Sequence, residues 1–174
     1  YLEAISKYKN SPLPYISIAR FYEETFNFSD AIKAYKKAVK YLPTNAEILY
    51  NIGINYINLG DYSNSVQHLK NLIYLESNFT LAYYALGTAY YYKEDYLKSI
   101  AYLNKAISMN PYLIGAHFNV AHAYLKINEP KKAEHHLNTC LEIDPDDLKS
   151  KKLLGTFQNN SNALPFLRIT KQGS

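Results

Sequence analysis

The sequence is short of what catalytic and cofactor sites are usually built from. Its one cysteine, Cys140, rules out a disulfide framework within the chain. Its six glycines stand singly, so there is no glycine-rich loop to cradle a phosphate. No run of about 18 apolar residues occurs, and nothing in the sequence is fit to span a membrane. No basic-then-apolar leader is present either. The first residue is Tyr1 rather than methionine, which reads as a soluble piece of a longer protein. The compartment stays open, with the cytoplasm as default.

What is present is apolar and aromatic. Hydrophobic residues make up 48% of the 174 and charged residues 20%, enough to build a core and too apolar for a disordered chain. The length suits one domain or a short repeat array. Net charge is +4, unevenly placed. Residues 148–174 carry Lys149, Lys151, Lys152, Arg168 and Lys171 and no acid. Residues 1–147 hold 14 basic and 15 acidic groups, a balance of −1. A neutral array is poorly suited to tracking phosphates, so nucleic acid is not the expected partner.

Set out at a period of 34, four segments align without a gap: 12–45, 46–79, 80–113 and 114–147. The eleventh residue is Tyr22, Tyr56, Tyr90 and Tyr124, and the eighth is Ala19, Gly53, Gly87 and Ala121. The seventh is aliphatic: Ile18, Ile52, Leu86 and Val120. The twentieth is small (Ala31, Ser65, Ser99, Ala133) and the twenty-fourth large (Tyr35, Leu69, Leu103, Leu137). Pro43, Ser77, Pro111 and Pro145 share the thirty-second place. Within the second segment Leu49, Ile52, Gly53 and Tyr56 fall on one helical face. A break at Leu59-Gly60-Asp61 follows, then Ser65, Leu69, Leu72 and Ile73 form a second face. Each segment therefore reads as two helices. The prolines fall after the second helix, and Pro130 sits in a first turn, where its missing N–H costs nothing.

This pattern resembles the tetratricopeptide repeat family over residues 12–147. His117, Ser77 and Leu72 depart from it, standing where the family often has an aromatic, a proline and a small residue. The resemblance implies an all-α, right-handed solenoid of helix-turn-helix repeats, with first helices lining a concave groove and second helices on the convex back. Residues 1–11 read as the end of a preceding repeat helix, since Tyr1 and Ala4 stay in phase. Residues 148–158 read as a capping helix and 159–174 as an extended basic and apolar tail.

No catalytic or metal constellation emerges, so the chain is not expected to be an enzyme or to hold a cofactor. Cys140 falls at a small-residue position and reads as a buried packing thiol. His117 and His122 stand about 140° apart around a helix, and the adjacent His135 and His136 diverge. Asp144, Asp146 and Asp147 around Pro145 read as a solvated helix start, because a calcium loop needs alternating oxygens and a glycine.

The groove is then the place for function. The resemblance places the second, fifth, ninth, twelfth and thirteenth residues of each repeat on it. That includes Arg20, Glu23 and Glu24 in the first repeat, and Glu47, Tyr50 and Ile54 in the second. It includes Tyr84, Thr88, Tyr91 and Tyr92 in the third, and Gly115, Phe118, His122, Leu125 and Lys126 in the fourth. Tyr50, Tyr84 and Phe118 share one position and should form a ladder, serving either partner contact or packing on the neighbouring helix. Exposed aromatic surface of this extent marks a partner site. Asn51 and Asn119 hold the position from which some members of the family grip a peptide backbone, though Ser17 and Ala85 interrupt that row.

Family members that clamp the C-terminal carboxylate of heat-shock chaperones use lysine, asparagine and arginine on successive first helices. The aligned positions here are Ile16, Arg20, Asn51, Leu81 and Ala85, or Tyr50, Ile54, Ala85, Gly115 and Asn119 one repeat on. The cations are missing. The expected function is a scaffold binding a peptide segment of a protein partner, not a carboxylate clamp. The alternative is a regulatory or targeting region of a larger protein or enzyme. Self-association through the solenoid ends, or through docking of the Leu164-Pro165-Phe166-Leu167 run in a groove, is a further expectation.

Overall fold

A computed structural model describes the backbone of residues 11–163 and the side chains of residues 11–156. The half-helix expected at 1–11 therefore lies outside the described residues, except for Ser11, as does the tail beyond Ala163. The described chain is all helix and turn. The first helices of the four repeats are α1 (Leu13–Glu24), α3 (Ala46–Asn58), α5 (Thr80–Tyr92) and α7 (Ile114–Lys126). The second helices are α2 (Phe28–Val39), α4 (Tyr62–Leu75), α6 (Tyr96–Met109) and α8 (Pro130–Ile143). The last helix, α9 (Leu148–Ala163), runs past the expected end at 158. No proline or cap interrupts it before Leu164-Pro165.

The turn inside each repeat has one geometry. Phe26, Gly60, Glu94 and Asn128, the fifteenth residues, all take a left-handed backbone, with φ of 58°, 77°, 61° and 60°. The next N–H reaches back to the tyrosine carbonyl of the eleventh position, Asn27 to Tyr22 at 2.8 Å and Asp61 to Tyr56 at 2.9 Å. This six-residue closure ends the first helix. The same sixteenth residue then starts the second: Asn27, Asp61 and Asp95 side chains accept the N–H three residues on. Glu129 makes no such cap, and Pro130 opens α8 in its place.

Small and large columns meet inside each repeat. A Cβ added to Gly53 would lie 2.6 Å from the Leu69 side chain, and one on Gly87 2.6 Å from that of Leu103. Between repeats, each second helix buries against the next first helix. Leu69 packs with Ala85, Leu86 and Tyr90, and Leu103 with Ala116 and Val120. The core is therefore a row of joints rather than one centre, as a solenoid requires. Leu153 and Leu154 carry the row onto α9, which covers the Ala121–Ala133–Leu137 cluster. A further column couples the two helices by stacking: Tyr56 on His68, Tyr90 on Tyr102 and Tyr124 on His136, at 5.3, 5.4 and 5.8 Å. The first helices α3 and α5, and α5 and α7, also touch one another directly. They form the inner wall on which the groove residues stand.

Candidate functional site

The wall has two differently built halves. Between α5 and α7 there is an open cavity of 250 Å³ lined by Thr88, Tyr91, Tyr92, Phe118, Asn119 and His122. Five of the six stand at the positions that the resemblance places on the groove, and the sixth, Asn119, is the residue singled out at the sixth position. Tyr91 stands edge-on to Tyr92, Tyr96 and His122, and Phe118 edge-on to His122 at 4.7 Å. Tyr92 is 52% exposed and stacks on Tyr62 of α4. Burial, then the nearby Lys126, lowers the His122 pKa, which favours the neutral imidazole. Asn119 Nδ2 donates to Thr88 Oγ1 at 3.1 Å, and Thr88 in turn donates to the Tyr84 carbonyl. Among the described residues, no hydrogen bond to the side-chain Oδ1 of Asn119 is seen.

Between α1 and α3 the corresponding side chains are committed to one another. Asn51 Nδ2 donates to Tyr35 Oη at 3.1 Å, and Tyr35 Oη donates to Glu23 Oε2 at 3.0 Å. Asn55, fully buried, donates to the other oxygen of Glu23 and to the Asn51 carbonyl. Burial, then the adjacent Glu23 carboxylate, holds the Tyr35 phenol far above its usual range, so it stays protonated as a donor. Arg20 forms an exposed ion pair with Glu47 at 2.7 Å. Sequence reasoning missed Asn55 and the polar end of Tyr35. The signal for Asn55 was there: the tenth position holds Phe21, Ala89 and Ala123 in the other repeats.

Tyr50 and Tyr84 lie between these halves and do not form a free ladder with Phe118. Each leans onto the following repeat. Tyr50 packs on Phe79 at the end of its own repeat at 5.5 Å, and with Ile54 joins the cluster of Leu69 with Ala85 and Leu86 of the next. Tyr84 packs beside Leu103 and Ala116 and lies over Gly115, where a Cβ would sit 2.9 Å from its hydroxyl. Burial raises the pKa of both phenols. Lys126 is exposed at the far end of α7.

Cys140 is buried, with its thiol directed at the Ile114 carbonyl, and burial raises its pKa. His117 and His136 do meet, Nδ1 to Nδ1 at 3.0 Å, while His117 Nε2–H donates to the Pro111 carbonyl. That fixes His117 Nδ1 as acceptor and His136 as donor. Among the described residues no group of three or more His, Cys, Asp or Glu is arranged to hold a metal ion, and no helix is long and apolar enough to cross a membrane. A second cavity, of 230 Å³, lies on the first repeat beside Tyr22 and Ala34. Alanine stands there in the column where the other repeats place a stacking ring.

Sequence models for the repeat match most of this array. One described as "TPR repeat" matches residues 27–60, and two described as "Tetratricopeptide repeat" match 46–79 and 90–155. The chain belongs to the tetratricopeptide repeat family. A 68-residue stretch is 37% identical to BBSome complex member BBS4 of Bos taurus, covering 38% of this chain and 13% of that protein's length. A crystal structure of MamA shares the fold at a TM-score of 0.76 and 26% identity, over 83% of this chain and 85% of that one. The first repeat domain of Spaghetti (RPAP3), solved bound to an HSP90 peptide, aligns at a TM-score of 0.65 and 15% identity, over 67% and 93% of the two chains. Tetratricopeptide repeats are generally non-catalytic, and family and fold together point to a protein–protein interaction scaffold.

Proposed function

We propose that this array binds an extended peptide segment of a protein partner in its concave groove, with an aromatic or aliphatic side chain of the partner seated between α5 and α7. The observation that carries this reading is the 250 Å³ cavity whose six lining residues all come from the inner wall. Tyrosine rings offer large contact area with few rotors to freeze. The side-chain Oδ1 of Asn119 is an acceptor that a peptide N–H could use, which supports recognition through the backbone. The groove is not a carboxylate clamp on this reading, because Arg20 is paired with Glu47 and Lys126 stands alone. The same shortage of cations argues against nucleic acid.

A second reading, a targeting or regulatory region of a longer protein, is favoured by the BBS4 match, where the related stretch is 13% of the whole. It is compatible with the same groove.

The test is partner capture by the wild type beside Tyr91→Ala/His122→Ala, once both are shown to melt alike. Capture by the wild type and at least tenfold loss in the double variant supports the groove. Equal capture by both overturns it.

A further inference from the structure

The open half of the inner wall is nearly free of charge. α5 has no charged side chain, and α7 has one cation, Lys126 in its last turn. The six residues lining the cavity include no acid, lysine or arginine. Of the two cations at groove positions, Arg20 is held by Glu47. Lys126 is exposed and makes no ion pair among the described residues. The acids of the neighbouring turns are engaged elsewhere. Asp61 accepts from Asn64, Asp95 pairs with Lys98, and Glu129 pairs with Lys132 at 3.4 Å. Lys93 and Glu94 follow α5 as adjacent opposite charges. The unbalanced charge at this end of the cavity is the Lys126 ammonium.

Its place follows from the repeat. Lys126 and Tyr92 are the thirteenth residues of their repeats, so Lys126 leaves α7 at the level where Tyr92 leaves α5. Packed helices lie about 8–10 Å apart. Lys126 also stands one turn past His122, a rise of about 6 Å. Its charge reaches that ring, being the second cause, after burial, that lowers the His122 pKa. An extended peptide puts every second side chain on one face, about 7 Å apart. That step matches the one from His122 to Lys126.

From this complementarity of charge and spacing we infer that the groove's ligand carries an aspartate or glutamate two residues from the side chain seated between α5 and α7. Its carboxylate pairs with Lys126. The pair fixes the register of the peptide on the wall and speeds its encounter. It also rejects a segment with lysine or arginine at that place. The inference rests on the groove being the binding surface.

The probe is a random peptide library displayed on phage, selected on the full chain at low salt. Selected peptides should hold an acid two residues from an aromatic or large aliphatic residue. The strongest of them, synthesised with a fluorescent label, should bind Lys126→Glu at least fivefold more weakly than the wild type, with equal melts for the two proteins. The gap should narrow as salt rises. Exchanging the peptide's acid for lysine should reverse the preference, so that Lys126→Glu binds it more tightly than the wild type does. Selected peptides with no acid at that spacing, or equal binding by wild type and Lys126→Glu, would overturn the inference. If those peptides still lose at least tenfold on Tyr91→Ala/His122→Ala, the groove reading stands without it. Peptides that bind this double variant as tightly as the wild type, or a library that yields no binder, would overturn both.

Discussion

At the sixth position of their repeats α3 carries Asn51 and α7 carries Asn119, and the two amides have different fates. Asn51 gives its N–H to Tyr35 Oη and is tied into the Glu23–Asn55 network. Asn119 gives its N–H to Thr88 and stands at the edge of an open cavity. The α1–α3 half of the groove is thus closed by its own polar contacts, and the α5–α7 half is open and aromatic. The difference comes from single residues at matched positions. Tyr35 has a hydroxyl where Leu69, Leu103 and Leu137 have none, and Asn55 stands where the third and fourth repeats have alanine. One architecture carries two surfaces, one spent on holding repeats together and one left open.

The contrast collapses entirely if the joint behind the open half is lost. Leu103→Ala removes a fully buried side chain packed on Ala116 and Val120. It should cost about 2–5 kcal/mol and be seen as a lower urea midpoint. An unchanged midpoint would mean that the row of joints is not what holds the array.

The closed half is tested next. Asn55→Ala removes two hydrogen bonds and leaves part of the Glu23 carboxylate unpaired, at a cost of about 1–3 kcal/mol. Partner affinity at the α5–α7 cavity should stay within about threefold, a change of roughly 0.6 kcal/mol. Affinity falling in step with stability would join the two halves into one surface.

pH separates the halves a third way. His136 on α8 is pushed down to about 4 by burial and then by His117 of α7 and its neighbour His135. The unfolded imidazole takes its proton near 6.5, so the unfolded chain binds more protons below that pH. This group's contribution is full above pH 6.5, is lost as pH falls to about 4, and is flat below. Allowing for its solvent contact, the loss should be about 1–2 kcal/mol, confined to the last repeat. His136→Tyr copies the Tyr102 column and should flatten that part of the stability profile. An unaltered profile would remove His136 as the cause.

The smallest effect concerns Ser65 and Ser99, whose buried hydroxyls find no partner among the described residues. Ser99→Ala restores the residue type of the first and fourth repeats. It should be neutral or stabilise by up to about 1 kcal/mol in thermal melts. Destabilisation would reveal a hidden bond at that column.

Much of this was legible in the sequence. The eighth and twenty-fourth columns announced the close approach that Gly53–Leu69 and Gly87–Leu103 make. The turn was legible only at Gly60. Phe26, Glu94 and Asn128 take the same left-handed backbone, because the repeat imposes it whatever the side chain. The groove positions named which residues face inward but not which bond to each other. Tyr50 and Tyr84 left packing and contact open, and the rings lean onto Phe79 and Gly115. A column read as large and apolar hid the hydroxyl of Tyr35. Such pairings depend on distances between repeats, which a register along the chain does not contain.

The most direct test of the central claim is a binding titration of one captured partner peptide against two full-length variants. Tyr91→Ala/His122→Ala alters the open half, and Arg20→Ala/Glu47→Ala the exposed ion pair of the closed half. The account predicts at least tenfold weaker binding for the first and a change within about threefold for the second, or about 1.4 against 0.6 kcal/mol. The reverse order, or equal losses in both, would contradict it.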